Sequence, residues 1–192
     1  MSLSITGASL KRVDRTSARY AFLREVHQKI ARKDSSTWGP DAAAEAAIRL
    51  NWVDLPESSI ALRDEVTTLK EKFADKSRVV LCGMGGSSLA PEVLAKTYNR
   101  EIFVVDSTDP NYLAHALNGD ISKTVFVVSS KSGSTIETSS QRALFQATVA
   151  EAGLDVTKHM VFVTDPGSPL DIEVRAAGFS VINADPHVGG RF

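Results

Sequence analysis

Five hydroxyl-bearing residues, a lysine and a glycine occupy the seven positions Ser129-Ser130-Lys131-Ser132-Gly133-Ser134-Thr135. A phosphate monoester carries about −1.5 to −2 charges near neutral pH and presents strong acceptor oxygens. Hydroxyl donors gathered where a helix is about to begin, with its first amides unpaired, suit such a ligand. One Ser or Thr is enough to cap a helix. Five in one loop exceed the needs of a cap and point to phosphate. A second loop, Gly83-Met84-Gly85-Gly86-Ser87-Ser88, follows an apolar run and leads into a helix read from about Leu89, with Pro91 in its first turn. Its glycines let the backbone approach a ligand closely, although a tight turn alone also explains them.

Two better-known phosphate motifs compete. The P-loop pattern G-x-x-x-x-G-K-[ST] occurs nowhere in the chain, which excludes triphosphate binding by that route. The dinucleotide fingerprint comes closer. Gly83 and Gly85 fit its first two glycines, and Asp106 ends an apolar run where a ribose-binding acid would stand. Its third glycine position is Ser88, and it leaves the Ser130–Thr135 loop unexplained.

These loops need a scaffold, and the bulk properties permit one. The chain has 192 residues, 43% of them hydrophobic, enough for one α/β domain and an accessory segment. With 22 basic and 23 acidic residues the net charge is −1, so no whole-protein field attracts nucleic acid or an acidic membrane. An anion site must therefore be local. The single cysteine, Cys82, excludes an intramolecular disulfide and lies in an apolar run, where it reads as a small buried hydrophobe. The N-terminal residues lack the pattern of a signal peptide. No apolar run approaches the ~20 residues that cross a bilayer. A cytoplasmic protein is expected.

Residues 1–77 read as a helical segment. Phe22, Val26 and Ile30, with Leu23 beside them, form an amphipathic stripe; Asp34–Pro40 break it; an Ala-rich helix runs from Pro40 to about Leu50. A third helix is expected from Pro56, burying Ile60, Leu62, Val66, Leu69 and Phe73. Residues 78–192 change character. Val79–Cys82, Ile102–Val105, Val125–Val128, Met160–Val163 and Phe179–Ile182 are continuous apolar runs separated by helix-length intervals. Such runs are parallel strands covered on both faces, which predicts a doubly wound α/β domain with a five-stranded parallel sheet. Ligands of such sheets sit beyond the carboxyl ends of the strands, where both loops lie.

Taken together, Gly83–Leu89 and Ser130-Lys131-Ser132-Gly133-Ser134-Thr135-Ile136-Glu137-Thr138 resemble the sugar isomerase (SIS) domain of glucose-6-phosphate isomerases, a flavodoxin-type fold. Val188-Gly189-Gly190-Arg191-Phe192 resembles the start of that family's Gly-Gly-Arg-aromatic signature. The likeness covers about Arg78 to Phe192. Upstream, Arg49–Pro56 is similar to the segment preceding this domain in bacterial transaldolase–isomerase fusions.

The resemblance implies interconversion of glucose 6-phosphate and fructose 6-phosphate, a step of glycolysis and gluconeogenesis, without metal or organic cofactor. A homodimer is implied for the intact protein. Position by position, Gly86 and Ser87 resemble the first-loop pair near the phosphate. Ser130, Ser132 and Thr135 resemble the phosphate-holding hydroxyls, with Lys131 offering its amide and its charge. Many relatives carry threonine at Ser132, which keeps the hydroxyl, and a bulkier residue at Gly133. Gly190 and Arg191 resemble the pair beside the reacting carbons, where the arginine stabilises the enediolate. The family's glutamate base, ring-opening histidine and late lysine lie downstream of that signature, so the chain is expected to be a piece of a longer protein that binds but does not turn over its substrate. A phosphosugar sensor of the same fold is the other reading. Glu137 reads as an acid offsetting a helix dipole. His27, His115 and His159 read as surface or packing residues, no motif supports His187, and turn chemistry explains Asp165-Pro166 and Asp185-Pro186.

Overall fold

The computed structural model describes residues 4, 6–8 and 12–189. Its contacts fall into two compact units, Met1–Asp54 and Leu55–Phe192. In the first, α1 (Ala18–Ala31) begins where Ser17 accepts a hydrogen bond from the Tyr20 amide. Asp34 caps a 3-10 turn at Ser35–Trp38, and Gly39, at φ 85°, redirects the chain into α2 (Pro40–Arg49) with proline in its first turn. Lys33 pairs with Asp54 and donates to Asn51 Oδ1 at 3.2 Å. The stripe expected to be buried on α1 is not: Phe22 and Leu23 are exposed, and Leu50 alone among the described residues of this unit is buried.

The second unit opens with α3 (Leu55–Ser58), a 3-10 turn at Ser59–Leu62 and α4 (Arg63–Lys72). The single helix expected from Pro56 is therefore interrupted. A 3-10 turn advances about 120° per residue instead of 100°, so residues before and after it lose their common face. Ile60 and Val66 consequently lie exposed, while Leu69 and Phe73 pack on Val79, Val125 and Val161.

The remainder alternates strictly: β1 (Arg78–Cys82), α5 (Gly86–Thr97), β2 (Phe103–Val105), α6 (Pro110–Leu117), β3 (Thr124–Ser129), α7 (Ile136–Glu151), β4 (Met160–Thr164), α8 (Pro169–Ala176) and β5 (Ser180–Asn183). All five strands are parallel, in the order β2-β1-β3-β4-β5. The expected doubly wound sheet is thus present, with strand bounds within a residue or two of the apolar runs. Alternate residues sort to the two faces. Val80, Cys82, Phe126, Val128, Met160 and Phe162 pack against Ala116, Phe145, Val149 and Val174 from α6, α7 and α8. Phe126 stacks on Phe145 at 4.5 Å between centroids, and both are fully buried. His159 is a packing residue as read: buried, it lies 2.9 Å from the Thr124 carbonyl through Nδ1 and 3.3 Å from Lys76 Nζ through Nε2.

Candidate phosphate-binding site

From β1 the chain steps one way to β2, then returns across β1 to β3 and continues outward. The switch point of the sheet therefore lies between β1 and β3, and crevices for ligands open there. Cys82 pairs in register with Val128, so Gly83 stands level with Ser129, the last residue of β3. The fit is tight. A β-carbon at Gly83 would stand 3.0 Å from both Cβ and the carbonyl oxygen of Ser87, and 3.2 Å from the Ser129 carbonyl oxygen.

Helix α5 starts at Gly86, three residues earlier than the sequence suggests. The reason is Gly85, whose φ of 58° and ψ of −118° turn the chain abruptly into the helix at a position that carries no side chain to cap it. Gly86 and Ser87 thereby become the first two helical residues, at the positive end of the dipole. Ser88 is buried, and its hydroxyl donates to the Gly85 carbonyl at 3.1 Å. The dinucleotide alternative loses support here. A serine fills its third glycine position, the strand order is of flavodoxin type, and Asp106 is exposed beyond β2.

The second loop is shaped from within. Ser130, buried, extends the sheet by donating its amide to the Val163 carbonyl at 3.0 Å, and its hydroxyl accepts from the Gly133 amide at 3.1 Å. Ser132 and Ser134 are exposed, with their hydroxyls 2.8 Å apart. Thr135 is the N-cap residue of α7, yet its side chain caps nothing. Its neighbours differ. Asp109 accepts from the Asn111 and Tyr112 amides at the start of α6, and Ser168 accepts from the Asp171 amide at the start of α8. Of the four helices between strands, the two uncapped ones follow β1 and β3 and flank the switch point. Helix capping therefore does not account for the hydroxyls of the second loop: Ser130 and Ser132 accept the Gly133 and Ser134 amides within the loop at 3.1 and 3.3 Å, and the Thr135 side chain makes no cap bond.

Lys131 departs from expectation. Its ammonium, expected to offer charge to a phosphate, bonds Asp165 Oδ1 and Oδ2 at 3.0 and 2.7 Å and the Pro186 carbonyl at 2.8 Å. An ammonium has three protons, and these contacts use them all. The pairing also revises Asp165, whose role extends past turn chemistry. Nothing in the sequence flags it, because the partners stand 34 residues apart. Asp185 does behave as a turn residue, accepting from the His187 amide at 2.8 Å. Gly190 and Arg191 lie outside the described residues. Glu137 sits in the first turn of α7, where an acid opposes the dipole. A cavity of about 570 Å³ bordered by Arg78, Lys96, Arg100 and Phe103 opens at the amino ends of β1 and β2, away from both loops.

The phosphoglucose isomerase family model matches residues 67–192, which span the whole sheet and both loops. The chain belongs to the phosphoglucose isomerase family. Glucose-6-phosphate isomerase of Chlamydia trachomatis serovar A is 34% identical over 143 residues, covering 71% of this chain and 26% of that protein. The Thermus thermophilus enzyme of the same name is 36% identical over 149 residues, covering 74% and 36%. Among solved structures, a hypothetical protein from Thermus thermophilus superposes with a TM-score of 0.73 at 30% identity, over 90% of this chain and 42% of that one. The chain thus spans roughly a quarter to a third of these curated relatives.

Membership in the phosphoglucose isomerase family agrees with the geometry. The match takes in both uncapped helix starts. No helix among the described residues is long and apolar enough to cross a membrane.

Proposed function

We propose that this chain forms the phosphosugar-binding part of an aldose–ketose isomerase acting on glucose 6-phosphate and fructose 6-phosphate. The observation that carries this is the pair of helices, α5 and α7, whose first turns lack side-chain caps on either side of the β1/β3 switch point. Gly86 supplies its amide from one side, and Ser87 a hydroxyl, the Ser87 amide being bonded to the Met84 carbonyl at 3.2 Å. Ser130, Ser132 and Thr135 supply hydroxyls from the other, with the Lys131 amide between them. A phosphate dianion is the ligand whose charge and acceptor count match such a cradle.

The chemistry beyond the phosphate needs a base that moves a proton between C2 and C1 and a partner for the enediolate oxygen. Arg191, with Gly190 beside it, is the candidate partner. The residues of the two loops hold the substrate and do not transfer the proton. We place the intact protein in the cytoplasm, as a homodimer, on the path of hexose phosphate breakdown and synthesis.

Isothermal titration with fructose 6-phosphate and with fructose tests the reading. Binding of the phosphorylated sugar alone, weakened in Ser130→Ala and Thr135→Ala, is the expected result. Equal response to both sugars, or affinity unchanged in both variants, would overturn it. Stabilisation by NAD in place of the phosphosugar would restore the dinucleotide reading.

A further inference from the structure

We infer that Lys131 and Asp165 form a strut that positions the phosphate loop, and that the lysine charge does not itself ligate the phosphate. This rests on the proposed phosphosugar reading and assigns Asp165 a part in that site.

The two residues are joined twice. Through the side chains, Lys131 Nζ holds both carboxylate oxygens of Asp165, at 3.0 and 2.7 Å. Through the backbone, the Lys131 carbonyl accepts the Asp165 amide at 3.1 Å and the Thr164 hydroxyl at 3.2 Å. A closed ring of bonds thus links the first residue of the β3 loop's open arc to the residue that follows β4. The third ammonium proton goes to the Pro186 carbonyl at 2.8 Å, beyond β5. One cation therefore ties together the segments that follow three successive strands of the sheet. Pro186 stands four positions before Gly190, so the same cation links the phosphate loop to the segment that leads into Gly190-Arg191.

Charge balance points the same way. With its side chain only 30% exposed and facing a carboxylate itself 20% exposed, the ammonium is already neutralised. Swinging it to a phosphate would abandon Asp165 in a half-buried place beside a dianion, which is like-charge repulsion. The cradle does not need that charge, since helix amides and hydroxyls already match the anion. The consequence of losing the strut is geometric. The backbone carrying Ser130, Ser132 and Thr135 would keep only its main-chain carbonyl and amide bonds to the β4 side and lose the ammonium's tie to Pro186, and misplaced donors bind poorly.

The test uses the whole chain, with Lys131→Met, Lys131→Arg, Asp165→Asn and the Lys131→Met/Asp165→Asn pair, each confirmed folded by its thermal transition. Fructose 6-phosphate affinity should fall on the order of tenfold in Lys131→Met and in Asp165→Asn, no further in the pair, and recover in Lys131→Arg, which can still bridge Asp165. In ³¹P NMR titrations the bound phosphate should titrate at the same pH in wild type and in the Lys131→Met/Asp165→Asn pair, which removes both charges together. If the ammonium ligates the phosphate, the pair shifts that titration upward and Asp165→Asn, by releasing the lysine, tightens binding; either result overturns the strut. Amide hydrogen exchange at Gly133 in the ligand-free chain separates the two ideas. Faster exchange in Lys131→Met and Asp165→Asn supports the strut even if wild type binds no phosphosugar, an outcome that would defeat only the proposed function. Unchanged exchange overturns the strut.

Discussion

A β-carbon at Gly133 would lie 2.4 Å from Cβ of Leu170, so the loop after β3 and the first turn of α8 meet at the one residue type that leaves room. Gly133 also sits at φ 72°, where a side chain is strained whatever the space. Both facts require glycine at this position. Leu170, itself buried, has taken that volume.

Gly133→Ala should therefore cost about 2 kcal/mol or more, roughly 1–2 from the left-handed backbone and the rest from overpacking. Urea unfolding measures it. Combining it with Leu170→Gly should give less than the sum of the two single losses, because removing Cβ of Leu170 removes the clash the first change creates. Additive losses would mean that the two side chains do not compete for the same space.

Thr135 and Asp109 stand at the same helix position but do different things. Asp109→Ala removes a cap that accepts two amides and should cost about 1 kcal/mol of stability. Thr135→Ala removes no cap bond and should stay within about 0.5 kcal/mol of wild type, while its fructose 6-phosphate affinity falls. Equal destabilisation of the two variants would return Thr135 to the role of a plain cap.

Cys82 is fully buried in β1, and burial pushes its thiol well up from the ordinary range. The thiolate is the reactive form, so the native protein should resist a disulfide reagent at pH 8. Labelling should follow the unfolded fraction as urea is raised. Prompt labelling of the native protein would contradict the packing of β1 against β2 and β3.

Asp171 ties α8 to β5. The Gly167 amide first, then Asn183 and Arg175, hold its carboxyl below the usual range. A depressed native value means that the ionised group stabilises the fold above the ordinary carboxylate pKa of about 4, and that this contribution disappears as pH falls through the lowered value. Asp171→Asn should accordingly lower the melting temperature at pH 7, and its deficit should shrink below about pH 4. A deficit independent of pH would assign the loss to packing alone.

The sheet was legible because its strands are continuous apolar runs, and a run such as Val125–Val128 has few other places to go than the middle of a parallel sheet. The two loops were legible because glycines and hydroxyls cluster immediately after those runs. The helix before the sheet was read less well. Local periodicity favoured one uninterrupted helix through Ile60 and Val66, and periodicity cannot register a 3-10 turn that shifts the phase of the face. The start of α5 is hidden in the sequence for a related reason: Gly85 suits a loop and a helix cap equally, and its dihedral angles decide between them.

By itself, the sequence determined the α/β class, the five strands and the two donor-rich loops, since each depends on residues that are neighbours in the chain. Tertiary structure decided which strands lie side by side. It thereby brought Gly83 level with Ser129, set the two uncapped helix starts at one switch point, and gave Lys131 its partners in Asp165 and Pro186. Those partners stand 34 and 55 residues away, and a charge can find them only after the sheet has closed the distance. The lysine that looked like part of the phosphate's countercharge is thus, in the folded chain, already neutralised.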